Sequence, residues 1–190
     1  MSTKPIAYLR RWGRRASRFG GAHSGATAVE FAMIAPALLA MIVAIFEVMY
    51  FLFAQQTLQT AAIEAGRMFM TNQGPAKNQI VDNQGKLLST SSVCNIIQPL
   101  LSCSAVMVDV RSYQSYSGAD TSIPTLTYDG QGNVSNNWSY GVGTPGQVMI
   151  VRLIYQLSIL QGPLGFILSN LGNGKMEVMG VTAIRVEPNG

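Results

Sequence analysis

Few side chains in this sequence could perform chemistry. The single histidine, His23, lies in a basic segment ahead of a long apolar run. We find no Gly-x-Ser-x-Gly elbow and no phosphate-binding loop, so the sequence predicts neither a catalytic residue nor a cofactor. The chemistry that remains is cross-linking by Cys94 and Cys103 and ion pairing by Glu30 and Glu47, two carboxylates at and within the apolar run.

Cys94 and Cys103 are the two cysteines of the chain. A bond between them would close a short loop, which the loop-closure model associates with roughly 2–3 kcal/mol of stabilisation. We expect a disulfide, because this part of the chain is predicted to lie outside the cytoplasm, where disulfides persist. A pair of free thiols or a metal site are the alternatives, and the lack of a nearby histidine disfavours a metal.

A run of 24 residues, Phe31 to Ala54, contains one charge, that of Glu47. A membrane-spanning helix needs roughly 20 mainly apolar residues, so we expect a span at about 31–54. Cations precede the run and have no counterpart directly after it, which predicts a cytoplasmic N-terminus and an outward-facing remainder. Six of the 13 Lys and Arg residues form this cluster: Lys4, Arg10, Arg11, Arg14, Arg15 and Arg18.

The net charge of +4 therefore describes a tail, and the rest of the chain is close to neutral. A basic stripe across the folded part is missing, so we do not expect a nucleic-acid partner. Three other interpretations of the N-terminal region stay open. They are a cleaved secretory signal, a twin-arginine export signal at Arg14-Arg15, and a signal anchor that is never processed.

The stretch Gly25-Ala26-Thr27-Ala28-Val29-Glu30-Phe31 ends the basic leader and opens the apolar run. It resembles the processing site of type IV pilins, in which a membrane peptidase cuts after the glycine. Cleavage there would make Ala26 the new N-terminus and Glu30 its fifth residue. The resemblance implies that Glu30 pairs with an N-terminal amine during assembly. Thr27 and Glu30 also fit a capping box at a helix start near residue 28.

A wider region resembles the TadE/TadG-like proteins of the tight-adherence (Tad, or Flp) pilus. The resemblance is dense over 25–69, where Gly25, the core at Glu30 and Phe31, Pro36 and Glu47 carry it, and it extends more weakly to 148–187. It favours a TadE-like protein, with TadF next. TadG-like relatives carry a large metal-binding adhesion domain, and the chain contains no Asp-x-Ser-x-Ser motif for one.

The resemblance implies a minor pilin or pseudopilin that a prepilin peptidase processes and that is needed to assemble fimbriae used in adhesion and biofilm formation. Its partners would be the bacterial inner membrane, the peptidase, and other Tad pilins and TadE-, TadF- or TadG-like subunits. The domain beyond the membrane would face the periplasm. An anchored envelope adhesin or binding protein that is not processed is the alternative.

Two residues inside the apolar run break its uniformity. Pro36 removes a helical hydrogen bond, so we expect either a kink that helps the helix tilt or a tolerated bend. Glu47 lies in the outer half of the span. A carboxylate there indicates a partner helix in a complex, unless the side chain reaches the outer interface.

Beyond the membrane, the helix is expected to continue to about residue 72, giving a helix over 26–72 between a leader, 1–25, and a pilin-like domain, 73–190. Its apolar positions recur at helical spacing and predict a face packed on a sheet: Leu58, Ala61, Ala62, Ala65, Met68 and Phe69.

Three strands are expected in the outer domain, at Ala105–Arg111, Val148–Leu157 and Met176–Glu187. Short helices are expected within 86–102 and over 164–171. The predicted class is α+β, a long helix on a small antiparallel sheet. Residues 112–146 are predicted to form long loops that contain a short segment paired with a strand. Within them, Tyr113 to Tyr140 is either a contact surface or an ordinary solvated loop.

Overall fold

A computed structural model of the chain describes residues 24–70, 77–159, 169, 171 and 173–187. Within these residues, three helices precede a three-stranded antiparallel sheet with the strand order β1-β2-β3, and the elements have the following bounds. They are α1 (Ser24–Met70), α2 (Lys77–Ile80), α3 (Ser92–Ile97), β1 (Met107–Tyr113), β2 (Val148–Ser158) and β3 (Lys175–Arg185), with single 3-10 turns at Cys103–Ala105 and Tyr116–Gly118. The predicted α+β class, a long helix with a small antiparallel sheet, is confirmed.

The three strands lie where the sequence predicts them, with bounds that differ by no more than two residues. The short helix expected within 86–102 is α3. The helix expected over 164–171 falls almost entirely outside the described residues. So do the basic leader, whose residues 1–23 are not described, and the predicted last residues of the long helix, 71 and 72.

The chain forms two compact units, Met1–Ile45 and Phe46–Gly190. In the first, the described residues form the N-terminal part of α1. The helix is already formed at Ser24, the first described residue, whereas the predicted start was near residue 28. Thr27 is therefore inside the helix, and the interpretation of Thr27 and Glu30 as a capping box is wrong. Helical backbone at Gly25 costs only about 1 kcal/mol relative to alanine, so it does not stop the helix.

In the second unit, one face of α1 packs on the sheet. The predicted stripe is confirmed, because its members are buried except Met68, which packs against the buried cluster from its margin: Leu58, Ala61, Ala62, Ala65 and Phe69. They meet alternate residues of β2 and β3, among them Val151, Leu153 and Val178. Because most of the helical contributors are alanines, the helix axis can approach the sheet closely.

Two kinds of contact set the position of α1 on β3. A Cβ atom on Gly180 would overlap the backbone carbonyl of Leu58, so the helix rests directly on the strand. Beside this point, the amide nitrogens of Gln55 and Gln59 donate to the backbone oxygens of Met179 and Val181, each at 2.8 Å. The side-chain oxygen of Gln59 also accepts from the N–H of Val181 at 3.1 Å.

Chain segments outside the strands complete the sheet. On the side of β1 away from β2, Gly85–Leu87 pairs with the first half of β1 and Ser139–Gly141 with the second. This second segment is the short pairing segment expected within the long loops. On the face away from α1, Leu126 and Trp138 pack against Met107 and Ile154. These residues form a second, smaller buried cluster that does not contact the helix.

Candidate functional site

The residues of the predicted processing site, Gly25 and Ala26, lie in the first turn of α1. A Cβ atom on Gly25 would meet nothing within 4 Å. The glycine therefore leaves open space beside the peptide bond at which the sequence predicts cleavage.

Glu30 and Phe31 follow one turn later, and both are exposed. The ring of Phe31 is 70% exposed and the side chain of Met33 is 77% exposed. One helix is long and apolar enough to cross a membrane by length and composition, with a mean hydropathy of 2.4 and 11% of its apolar window buried. A core helix of a soluble protein would be mostly buried, whereas most of this apolar surface is exposed among the described residues.

Pro36 lies inside α1, and the helix continues through it. Its ring nitrogen cannot donate, so the carbonyl oxygen of Ala32 lacks its usual helical partner. In a membrane such a group is tolerated where neighbouring helices or side chains supply a donor.

Glu47 lies at the start of the second unit and is partly buried. Its Oε1 atom is buried and has no hydrogen-bond partner among the described residues. A buried carboxylate oxygen without a donor is unfavourable by about 1–3 kcal/mol or more.

The sulfur atoms of Cys94 and Cys103 are bonded, with the two Cα atoms 5.7 Å apart. Both residues are buried. Helix α3 begins with a cap at Ser91, whose hydroxyl accepts from the N–H of Cys94 at 3.3 Å. The bond fastens α3 to the 3-10 turn that leads into β1, so it fixes the entry to the sheet.

Removing the disulfide with the paired substitution Cys94→Ser and Cys103→Ser is expected to lower the free energy of unfolding by roughly 2–3 kcal/mol, because the reduced chain gains loop entropy when it unfolds. Thermal unfolding with and without reductant measures the effect. Mass spectrometry after alkylation should find no free thiol before reduction and two after it. Two alkylated cysteines in the unreduced protein would contradict the bond.

A buried ion pair, which the sequence analysis missed, lies on the face of the sheet away from α1. Asp109 on β1 is directly opposite Arg152 on β2, and the two side chains are 2.9 Å apart and 0% and 2% exposed. Arg111 adds a second contact to Asp109 at 3.0 Å. Asp109 and Arg152 are charged residues among apolar ones within their strands. A charge at such a position needs a buried partner, so this pattern could have indicated the ion pair.

This pair also holds the long loops. The N–H of Ser139 donates to Asp109 at 3.0 Å. Arg152 donates to the backbone oxygen of Asp120 and lies 3.9 Å from its carboxylate. Hydrogen bonds from Ser122 lower the pKa of that carboxyl group. The segment from Tyr113 to Tyr140 is thus attached to the sheet at Asp120 and at Ser139, although most of its residues are exposed.

Tyr140 joins this segment to the end of α1. Its ring packs edge-on against that of Phe69, with the ring centroids 6.1 Å apart. Burial raises the pKa of Tyr140 to about 12, so the phenol is neutral at any physiological pH. The loop, the helix and the sheet therefore share one core.

The structure brings together the two predicted cysteines. The other predicted site residues are spread along α1 and form no cluster: Gly25, Ala26, Glu30, Phe31, Pro36 and Glu47. Within the described ranges, no group of three or more His, Cys, Asp or Glu side chains could hold a metal ion. The candidate site is therefore the surface of α1 together with the predicted processing site at its N-terminal part.

The comparisons with known proteins agree with this description over one segment. A family model described as TadE-like protein matches residues 25–67. The match begins at Gly25 and covers most of α1, and it supports a relationship to the TadE-like family for this part of the chain. No curated protein and no solved structure matches the chain.

Proposed function

We propose that this protein is a membrane-anchored, pilin-like component of a Tad-type pilus, a pseudopilin or minor pilin of the TadE type, with the TadF type as the second choice. The match of the TadE-like family model to residues 25–67 carries the proposal. It starts at the residue after which the sequence predicts cleavage and ends where α1 is packed on the sheet.

The physical arrangement supports the same role. An exposed apolar helix surface can lie in lipid before assembly and against the helices of other subunits afterwards. Before assembly the protein would span the inner membrane once, with the leader in the cytoplasm and the folded domain in the periplasm. The role is structural and requires no catalytic residue.

Cleavage after Gly25 tests the proposal most directly. In cells with an active prepilin peptidase, intact mass and N-terminal sequencing of the membrane-extracted protein should find a chain that begins at Ala26. Gly25→Val should block cleavage, because a branched side chain prevents close approach to the backbone. Gly21→Val, four residues earlier, is the matched control and should be processed. A mature protein that retains its leader would refute processing.

Two carboxylates would act in assembly. Glu30 would pair with an N-terminal amine, and Glu47, a carboxylate within the apolar run, would contact the helix of another subunit. We expect Glu30→Gln to leave cleavage intact and to reduce co-sedimentation with pilus filaments, since a neutral amide cannot form the ion pair. Glu64→Gln, at an exposed ion pair with Arg67, is the control. Equal co-sedimentation of both variants would contradict a role for Glu30.

A further inference from the structure

An open cleft of about 620 Å³ lies in the second unit, on the side where the long loops meet the sheet. Its walls are the turn between Tyr128 and Val134, the segment before β1, and the first residue of β3. The lining residues that matter here are polar or aromatic: Gln84, Lys86, Asn133, Trp138, Gln156 and Lys175. None of these residues takes part in the proposed processing or helix packing.

Trp138 is held in place as one wall of the cleft. It packs against Gly85, where a Cβ atom would be 2.9 Å from the Cβ of Trp138, and the φ angle of Gly85 is +76°. The ring also packs with the cluster of Met107, Leu126 and Ile154. The next residue, Ser139, is fixed to the buried Asp109. An aromatic ring fixed in this way loses little entropy when a ligand packs on it.

The opposite wall is a tight turn built on Asp129. Its Oδ1 atom accepts from the N–H groups of Gln131 and Asn133 at 2.9 and 2.8 Å. These hydrogen bonds, the one from Asn133 first, lower the pKa of Asp129. The carboxylate is therefore ionised, and its hydrogen-bonding capacity is largely used within the turn.

Unlike the carboxylate of Asp129, the two lysine ammonium groups of the cleft have no partner within the described residues. Neither Lys86 nor Lys175 forms an ion pair or side-chain hydrogen bond within the described part of the chain, and the side-chain amide of Gln84 is likewise unpaired there. The Nε1 group of Trp138 also has no acceptor among these residues. The cleft thus offers two ammonium groups and several free polar groups beside one aromatic ring.

We propose that this cleft binds an acidic oligosaccharide, a short chain of uronic acids. The apolar face of a sugar ring packs on an aromatic side chain, hydroxyl groups bond to side-chain amides, and carboxylates pair with lysine. Trp138, Gln84 and the two lysines supply these three features. An acidic peptide is the less favoured ligand, because the cleft is open and polar and contains no deep apolar pocket for side chains.

This inference does not depend on the proposed pilus role, since it rests on the outer domain alone. The test uses the full chain in detergent with Trp12→Phe. Because the chain has two tryptophans, this variant leaves Trp138 as its sole tryptophan. Titration with hexagalacturonate should change the Trp138 fluorescence in a saturable way. Neutral maltohexaose and hexaglutamate serve as probes that lack the charge and the sugar, respectively.

The paired substitution Lys86→Gln and Lys175→Gln should weaken binding of hexagalacturonate by about tenfold, the sum expected for two exposed ion pairs. Arg67→Gln with Arg185→Gln removes the same charge outside the cleft and should leave the affinity unchanged. Unaltered fluorescence with hexagalacturonate overturns the proposal. So does an equal loss in both paired variants, or binding of hexaglutamate as tight as that of the sugar.

Discussion

Gly180→Ala is expected to lower the free energy of unfolding of the outer domain by about 3 kcal/mol or more. The added Cβ atom would overlap the backbone carbonyl of Leu58 and lie 2.8 Å from the backbone nitrogen of Gln59. Side chains can turn away from such a contact, but helical backbone cannot, so α1 must lift from β3. For a chain of this size, the loss corresponds to a fall of roughly 6–12 °C in Tm.

Scanning calorimetry of the full chain in detergent measures this effect. Gly130→Ala is the matched control, because a Cβ atom there meets nothing within 4 Å. The two variants add the same methyl group to the same protein and differ only in what the group contacts. If their unfolding temperatures agree within error, α1 does not rest on β3 as closely as the structure has it.

The second large effect is expected at the buried ion pair. Asp109→Leu or Arg152→Met should each destabilise the protein by about 3–5 kcal/mol, because each leaves one charge of the buried pair without its main partner. The combined substitution Asp109→Leu and Arg152→Met should cost much less than the sum, since it leaves neither charge behind. Chemical denaturation of the four proteins completes the double-mutant cycle.

The exposed pair of Glu64 and Arg67 provides the comparison. Their atoms are 3.7 Å apart and both side chains are well exposed, so Glu64→Gln should change the free energy of unfolding by less than about 1 kcal/mol. Limited proteolysis adds a second measurement. The single variants at Asp109 and Arg152 should expose residues 113–140 to cleavage. Additive effects in the cycle would show that the two buried charges do not interact.

Much of the fold follows from periodicity. The apolar stripe of α1 at Leu58, Ala61 and Ala65 repeats at helical spacing. The strands are short, mainly apolar segments between polar loops, so local pattern and tertiary packing favour the same structure. The helix start was misjudged because a Thr and a Glu at capping spacing can also lie inside a helix. Such a pattern is informative only when the preceding residue is non-helical.

The candidate sites also fall into two groups, those that depend on residues close in sequence and those that depend on long-range packing. Residues whose role depends on neighbours in sequence, such as Gly25 and Glu30, can be singled out from the sequence. Asp109 and Arg152 are 43 residues apart, and only the register of β1 against β2 places them opposite each other. The cleft at Trp138 likewise depends on a contact between residues distant in sequence, the packing of the Trp138 ring on Gly85. The local sequence pattern can indicate that a buried charge needs a partner, but it does not identify that partner. It also does not predict the packing of Trp138 on Gly85.

The glutamines that fix α1 on β3 have a consequence for how subunits can associate. An open strand edge presents unpaired N–H and C=O groups and can recruit a strand from another chain. Gln55 and Gln59 occupy these groups at Met179 and Val181, while Gly85–Leu87 and Ser139–Gly141 occupy those of β1 on the other side. Copies of the chain at high local concentration are thus hindered from joining into a continuous sheet, which is a route to aggregation. The apolar surface of α1 remains as the route by which they can meet.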